Sequence, residues 1–136
     1  MDLLEVQRII YERISLLNYT IVDDFAIYQQ ANTPYIQISD LYINDDNTKN
    51  TEGMVVEQYI SVYSSYKGKK EILEIIQEIS NIMKDRVTNE DYSIYIEEDR
   101  KTIMLDFDNN GNKFYHAVLI FRLYIQWKGV KYNGSN

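Results

Sequence analysis

Residues Asp2 to Leu17 place Leu3, Val6, Ile10, Ile14 and Leu17 at helical spacing, with Glu5, Arg8, Glu12 and Arg13 largely on the other side. The pattern predicts an amphipathic helix that needs a sheet to lie on. From Tyr19 to Tyr28 the periodicity loosens into β-branched and aromatic residues broken by Asp23-Asp24, either a short strand or an irregular connection. Pro34 is the only proline, and it stands where proline is tolerated, at the head of a strand predicted from Tyr35 to Ile43. Asn44 to Gly53 carries no apolar side chain, which predicts an exposed hairpin loop.

A second strand is predicted from Val55 to Ser64. Met54, Val56, Ile60 and Val62 make one apolar face interrupted by Gln58, and Glu57, Tyr59, Ser61 and Tyr63 make a tyrosine-rich amphipathic one. Past Ser65-Tyr66-Lys67-Gly68, the residues Ile72, Ile75, Ile76, Ile79, Ile82 and Met83 recur every three or four positions, the stripe of a second helix. Asp91 to Phe107 reads as a hairpin: Tyr92, Ile94 and Ile96 alternate before Glu98-Asp99-Arg100, and Ile103, Leu105 and Phe107 alternate after it.

A turn at Asp108 to Asn112 leads to a long last strand, Phe114 to Trp127. One face is unbroken Ala117, Leu119, Phe121, Leu123, Ile125 and Trp127, and the other mixes His116, Val118, Ile120, Arg122, Tyr124 and Gln126. A strand of that length sits centrally in its sheet or forms an edge shared between subunits. The fold class expected is α+β, a mainly antiparallel β-sheet with two α-helices packed on one face. Residues 1–127 form one domain in this reading, and 128–136, which lose periodicity, a flexible tail.

The 136 residues suffice for one compact core, and 45% hydrophobic with 26% charged residues is ordinary globular composition. A formal net charge of −7 repels nucleic acid and anionic membrane, so sequence-specific DNA binding is not expected. The absence of cysteine removes disulfides, thiol catalysis and thiolate zinc sites together. No window approaches the ~20 apolar residues of a membrane span, and the charged start Met1 to Arg8 is unlike a signal peptide. A cytoplasmic site of synthesis is the expectation.

Candidate chemistry is sparse. Asp106-Phe107-Asp108-Asn109-Asn110-Gly111 matches the opening of a calcium-binding EF-hand loop, making Asp106, Asp108 and Asn110 the only metal candidates; position twelve is Ala117 instead of a bidentate Glu, and the flanks read as strands. Asn-Gly between alternating runs is also a common hairpin turn, and the plain turn is the preferred reading. His116, the only histidine, has no nucleophile motif beside it, so no catalytic residue and no cofactor is expected. The carboxylate clusters at Asp23-Asp24, Asp45-Asp46 and Glu97-Glu98-Asp99 read as solvated charge. The basic segment Lys67 to Lys70 suits a neighbouring subunit's carboxylates better than nucleic acid.

Taken in order, the amphipathic helix, the strand led by Thr33-Pro34-Tyr35-Ile36-Gln37-Ile38, the polar loop, the strand Glu57 to Ser64, the helix Lys69 to Met83 and the late strand His116 to Leu123 resemble the phage tail-completion, or tail-terminator, family. The resemblance spans about residues 3 to 127. It implies a small α+β subunit forming a homo-oligomer, typically a hexameric ring, that caps the head-proximal end of a phage or phage-like tail tube. Such a ring terminates tube growth and offers a docking face to the neck. The implied partners are the tail tube protein, with sheath and neck or connector proteins beside it, and the implied location is the virion tail, assembled in the bacterial host cytoplasm. In the family the loop between the first two main strands reaches toward the tube, which singles out Asp45, Asp46, Asn47 and Lys49.

From the residues alone, ring assembly asks for paired amphipathic surfaces. Tyr59 with Tyr63, and Arg122 with Tyr124, are the candidates, because Tyr and Arg combine large contact area with hydrogen bonding. The expected function is therefore a non-enzymatic virion protein. A head-tail connector or head-closure subunit is the near alternative, and a calcium-dependent binding module the alternative of a different class.

Overall fold

The computed structural model describes residues 3–22, 33–45 and 53–128. Helix α1 (Leu3–Ser15) buries Val6, Ile9, Ile10 and Ile14, the stripe its spacing predicts. On its far side Arg8 meets Glu12 at 3.0 Å and Glu5 at 3.4 Å. Exposed pairs of this spacing add about 0.2–0.5 kcal/mol each, so burial holds the helix in place. Strand β1 (Thr20–Val22) realises the short-strand alternative for the region after Tyr19; Asp23-Asp24 lies outside the described residues.

Strands β2 (Tyr35–Asp45) and β3 (Gly53–Ser64) pair antiparallel, with Asn44 opposite Val55 and Asp45 opposite Met54. Asn44, Asp45 and Gly53, expected in the loop, therefore belong to strands. Helix α2 (Lys70–Met83) buries Ile72, Ile75, Ile76, Ile79, Ser80 and Met83. Its first turn is tied to the end of β3, where the Ser64 hydroxyl donates to Glu71 Oε1 at 2.6 Å and accepts from the Tyr66 N–H at 3.2 Å. Glu71 also sets a negative charge among the unpaired N–H groups of that turn. At the other end Arg13 Nη1 donates to the Ile82 carbonyl at 2.9 Å, so α1 satisfies the last turn of α2.

Strand β4 (Asp85–Thr88) follows α2 and has no signature in the sequence, since three of its four residues are exposed. Strand β5 (Tyr92–Phe107) corrects the hairpin expected over Asp91 to Phe107. No turn occurs at Glu98-Asp99-Arg100; one strand runs straight through, with a bulge between Glu98 and Arg100. The extra residue re-phases the pleat, so Ile94 and Ile96 before it share a face with Ile103 and Leu105 after it. A turn and a bulge write the same break in alternation into a sequence.

The turn expected at Asp108 to Asn112 is present, with Gly111 at φ 82°, a left-handed conformation that only glycine adopts without strain. It leads into β6 (Lys113–Trp127), which lies between β3 and β5. The strand order is β1-β2-β3-β6-β5-β4, and every neighbouring pair is antiparallel except β1 with β2. The fold is α+β. The core packs α1 and α2 against the face bearing Ile36, Val56, Ile60, Val62, Ile94, Ile96 and the odd-numbered residues Ala117 to Ile125 of β6.

One row of that face carries two polar side chains. Leu41, Gln58, Phe121 and Glu98 lie on a single rung, beside the β2 bulge at Ser39-Asp40 and the β5 bulge at Asp99. Gln58 is fully buried, and its Nε2 donates to the carbonyls of Ser39 (3.2 Å), Asp40 (3.2 Å) and Tyr59 (2.8 Å). Three carbonyl acceptors fix the orientation of the amide, and Oε1 has no partner among the described residues. On the other flank of Phe121, Glu98 accepts from the Ser80 hydroxyl of α2 at 3.2 Å and pairs with Lys101 at 3.0 Å. The Gln58→Leu variant leaves the bulge carbonyls without their donor, and is expected to lose about 1–3 kcal/mol of stability. Urea melts read this directly, and an unchanged midpoint would show that the bulge holds itself.

Candidate functional site

The sheet face away from the helices gathers most of the side chains singled out in the sequence. Register places Tyr59 opposite Ile120, Glu57 opposite Arg122 and Val55 opposite Tyr124, so Tyr59, Arg122 and Tyr124 form one patch. At its centre Arg122 donates to Glu57 at 2.8 Å and reaches Asp99 at 3.4 Å. The hydrogen bond that Arg122 donates to Glu57, then the hydrogen bond with Tyr124 and the charge of Asp99, push the Arg122 pKa up, so the guanidinium stays charged at any physiological pH.

Two tyrosine pairs flank this ion cluster. Tyr59 meets Tyr42 edge-on at 5.4 Å, and Tyr124 stacks with Tyr95 at 6.2 Å, with the Arg86 guanidinium over the Tyr95 ring at 5.2 Å. Tyr42, Tyr95, Arg86 and Asp99 are members that sequence reasoning missed, and Glu57 was read on the same face as Tyr59 without being singled out. The outward phase of Tyr95, between Ile94 and Ile96, is the signal that could have found that residue. Glu57, Tyr59, Arg122 and Tyr124 are half-buried by their neighbours rather than open.

Tyr63 belongs to a different cluster, about 13 Å further along β3. It stacks against Tyr35 at 4.8 Å and His116 at 4.3 Å, with Phe114 at 6.1 Å. His116 is half-buried; burial pushes its pKa below the ordinary 6.5, with Asp106 pulling weakly the other way. Its Nε2 has no hydrogen-bond partner among the described residues.

The EF-hand-like residues lie at the turn between β5 and β6, beside an open cleft of 570 Å³ that Tyr63 and Phe114 also line. Asp108 Oδ1 accepts from the N–H groups of Asn110 and Asn112, both at 2.9 Å, and Asp106 Oδ1 accepts from the Phe107 N–H at 2.8 Å. The turn thus uses its own carboxylates to hold its backbone. Among the described residues no three His, Cys, Asp or Glu side chains converge on a possible metal position. Of the loop candidates, Asp45 ends β2, whereas Asp46, Asn47 and Lys49 lie outside the described residues. Lys70 pairs with Glu74 of its own helix at 3.2 Å. Among the described residues no helix is long and apolar enough to cross a membrane.

Residues 16–126 match the family described as Tail completion protein gp17. The chain belongs to this family. As a tail completion protein it is a structural component of a phage-type virion tail. The family match begins just past α1 and covers α2, β1 to β5 and all but the last residue of β6. No curated protein matches the sequence. Among solved structures, a chain in the "Virion of native gene transfer agent (GTA) particle" is similar at a TM-score of 0.61 and 13% identity, over 86% of this chain and 91% of that one. At that identity the likeness is one of fold.

Two expectations follow for this tail completion protein. Because the unfolded chain binds a proton on His116 at higher pH than the folded chain does, protonation favours unfolding. The contribution of His116 is present above the ordinary pKa and lost as pH falls from about 7 toward the lower folded value. The melting temperature should therefore drop more between pH 7 and 5.5 in the parent than in His116→Phe; equal slopes would remove His116 as the cause. Calcium titrated into the protein should release no heat and leave the melting temperature unmoved, since a bound ion would raise it.

Proposed function

We propose that this chain is a tail terminator: copies of it form a ring, a hexamer, at the head-proximal end of a phage or phage-like tail tube. The ring ends tube growth and presents a docking face to the neck. It acts without enzymatic chemistry or a cofactor, as one domain over residues 1–127, and is assembled in the host cytoplasm. The observation that carries the reading is the family match over residues 16–126.

The geometry is of the kind a ring subunit requires. The patch of Tyr59, Arg122 and Tyr124 has an ion cluster at its centre and aromatic pairs around it, a composition favoured at protein interfaces. Tyr63 extends that face toward the cleft. The segment from Asp45 through Asp46, Asn47 and Lys49 supplies the contact to the tube protein, and in a contractile particle the sheath protein is a further neighbour. Lys67 and Lys69, exposed before α2, are available to carboxylates of an adjacent subunit.

Purified protein should scatter light as a discrete species of six times the 16.2 kDa chain mass, either alone or on tube ends. Added to polymerising tube protein, it should fix tube length, and Arg122→Glu should weaken this by about tenfold or more, as expected for a charge reversed at an interface centre. Tubes that lengthen unaffected by the parent protein would favour a head-tail connector instead.

A further inference from the structure

The six-stranded sheet is guarded only at two diagonally opposite corners. β1 covers the outer edge of β2 only at Tyr35, Ile36 and Gln37, and β4 covers the outer edge of β5 only from Ser93 to Ile96. Among the described residues no strand pairs with the remaining outer edge of β2, Ile38 to Asp45, or of β5, Glu97 to Phe107. Open edges of this length present unpaired N–H and C=O groups and attract another strand. Large apolar side chains are exposed along both: Tyr42 (52%) and Ile43 (39%) on β2, Met104 (41%) and Leu105 (50%) on β5.

We propose that the two open edges pair with each other between adjacent copies of this chain, β5 of one with β2 of the next. The inference rests on the ring reading and names its joint. β2 and β5 run in opposite directions within the sheet, so rotation about an axis along the strands brings them together antiparallel. The edges differ, making the contact head-to-tail, the kind that closes into a ring.

One register satisfies both faces at once. Setting Ile43 against Ile103 also sets Leu41 against Leu105 on the helix side. On the other side it sets Tyr42 against Met104 and Asn44 against Thr102. Each residue meets one of its own face, apolar meets apolar, and polar Asn44 meets polar Thr102.

The offset this register imposes is also reasonable. Within one chain Leu41 shares a rung with Phe121, and Leu105 shares one with Tyr115, six residues along β6. Six residues rise about 20 Å, while the four strands β2, β3, β6 and β5 span about 19 Å, giving a strand tilt of about 45°, at the upper end of closed barrels. With that stagger β1 and β4 of adjacent copies lie above and below the joint and do not collide with it. The open corners are thus the places where the neighbouring strand enters.

The chain contains no cysteine, so introduced thiols report alone. In Tyr42→Cys/Met104→Cys the two facing positions should have Cβ atoms about 4.5–5.5 Å apart across the joint, within reach of a short bismaleimide or a disulfide. Oxidation or cross-linking should give a covalent ladder beyond the dimer on a denaturing gel. On the same gel each single variant should give no ladder, and Tyr42→Cys/Arg100→Cys, out of register, should give about tenfold less product. Asn44→Cys/Thr102→Cys is a second pair on the same face, to be used if melting shows the first to be unfolded. Light scattering accompanies the gel. A folded oligomer that yields no ladder with either pair would overturn the strand joint and leave the ring standing; a monomer with no ladder, even on tube ends, would overturn both.

Discussion

The Gln58 amide holds the β2 bulge, and the shape of that flank of the sheet depends on it. An extra residue in a strand leaves carbonyl groups out of phase with the neighbouring ladder. Here those of Ser39 and Asp40 take their donor from a side chain buried in the core. The β5 bulge sits on the same rung and is attended from the core side by Glu98, which α2 grips through Ser80. Phe121, between the two, is fully buried. A polar rung through an otherwise apolar core is tolerated because its donors are engaged, and it pins both bulges to one level of the sheet.

Legibility in the sequence followed burial. β6 was readable because one of its faces is wholly apolar, and α2 because six apolar residues repeat at helical spacing. β4 was not, because a short, exposed strand has no alternation to display. The hairpin expected at Glu98-Asp99-Arg100 failed for a different reason: parity breaks at a bulge as it does at a turn, and only the continuous pairing with β6 tells them apart. Gln58 was visible as an interruption, but its purpose was not, since the bulge carbonyls it serves, those of Ser39 and Asp40, lie in another strand.

The candidate surface was half legible. Tyr59, Arg122 and Tyr124 could be assigned to outward phases of their own strands. The cross-strand partners, Glu57 and Asp99 for Arg122 and Tyr95 for Tyr124, depend on register, which one-dimensional pattern does not specify. Tyr63 was grouped with Tyr59 on phase alone, yet it stacks with His116 at the far end of the same face. The chemistry divides by face: isoleucine and leucine beneath the helices, tyrosine and charge on the other side. β6 serves both, which is why its alternation is the cleanest in the chain.

β6 is the central strand of the sheet and also the last of the six in the sequence. During synthesis β2 can pair with β3 and β4 with β5 as they emerge, but β3 and β5 have no partner on their inner sides until β6 leaves the ribosome. The two halves of the core become one only when this strand slides between them. Folding of the tail protein is therefore completed after the sixth strand is released, and the time spent waiting with an open β3 edge is set by the speed of translation through α2, β4 and β5.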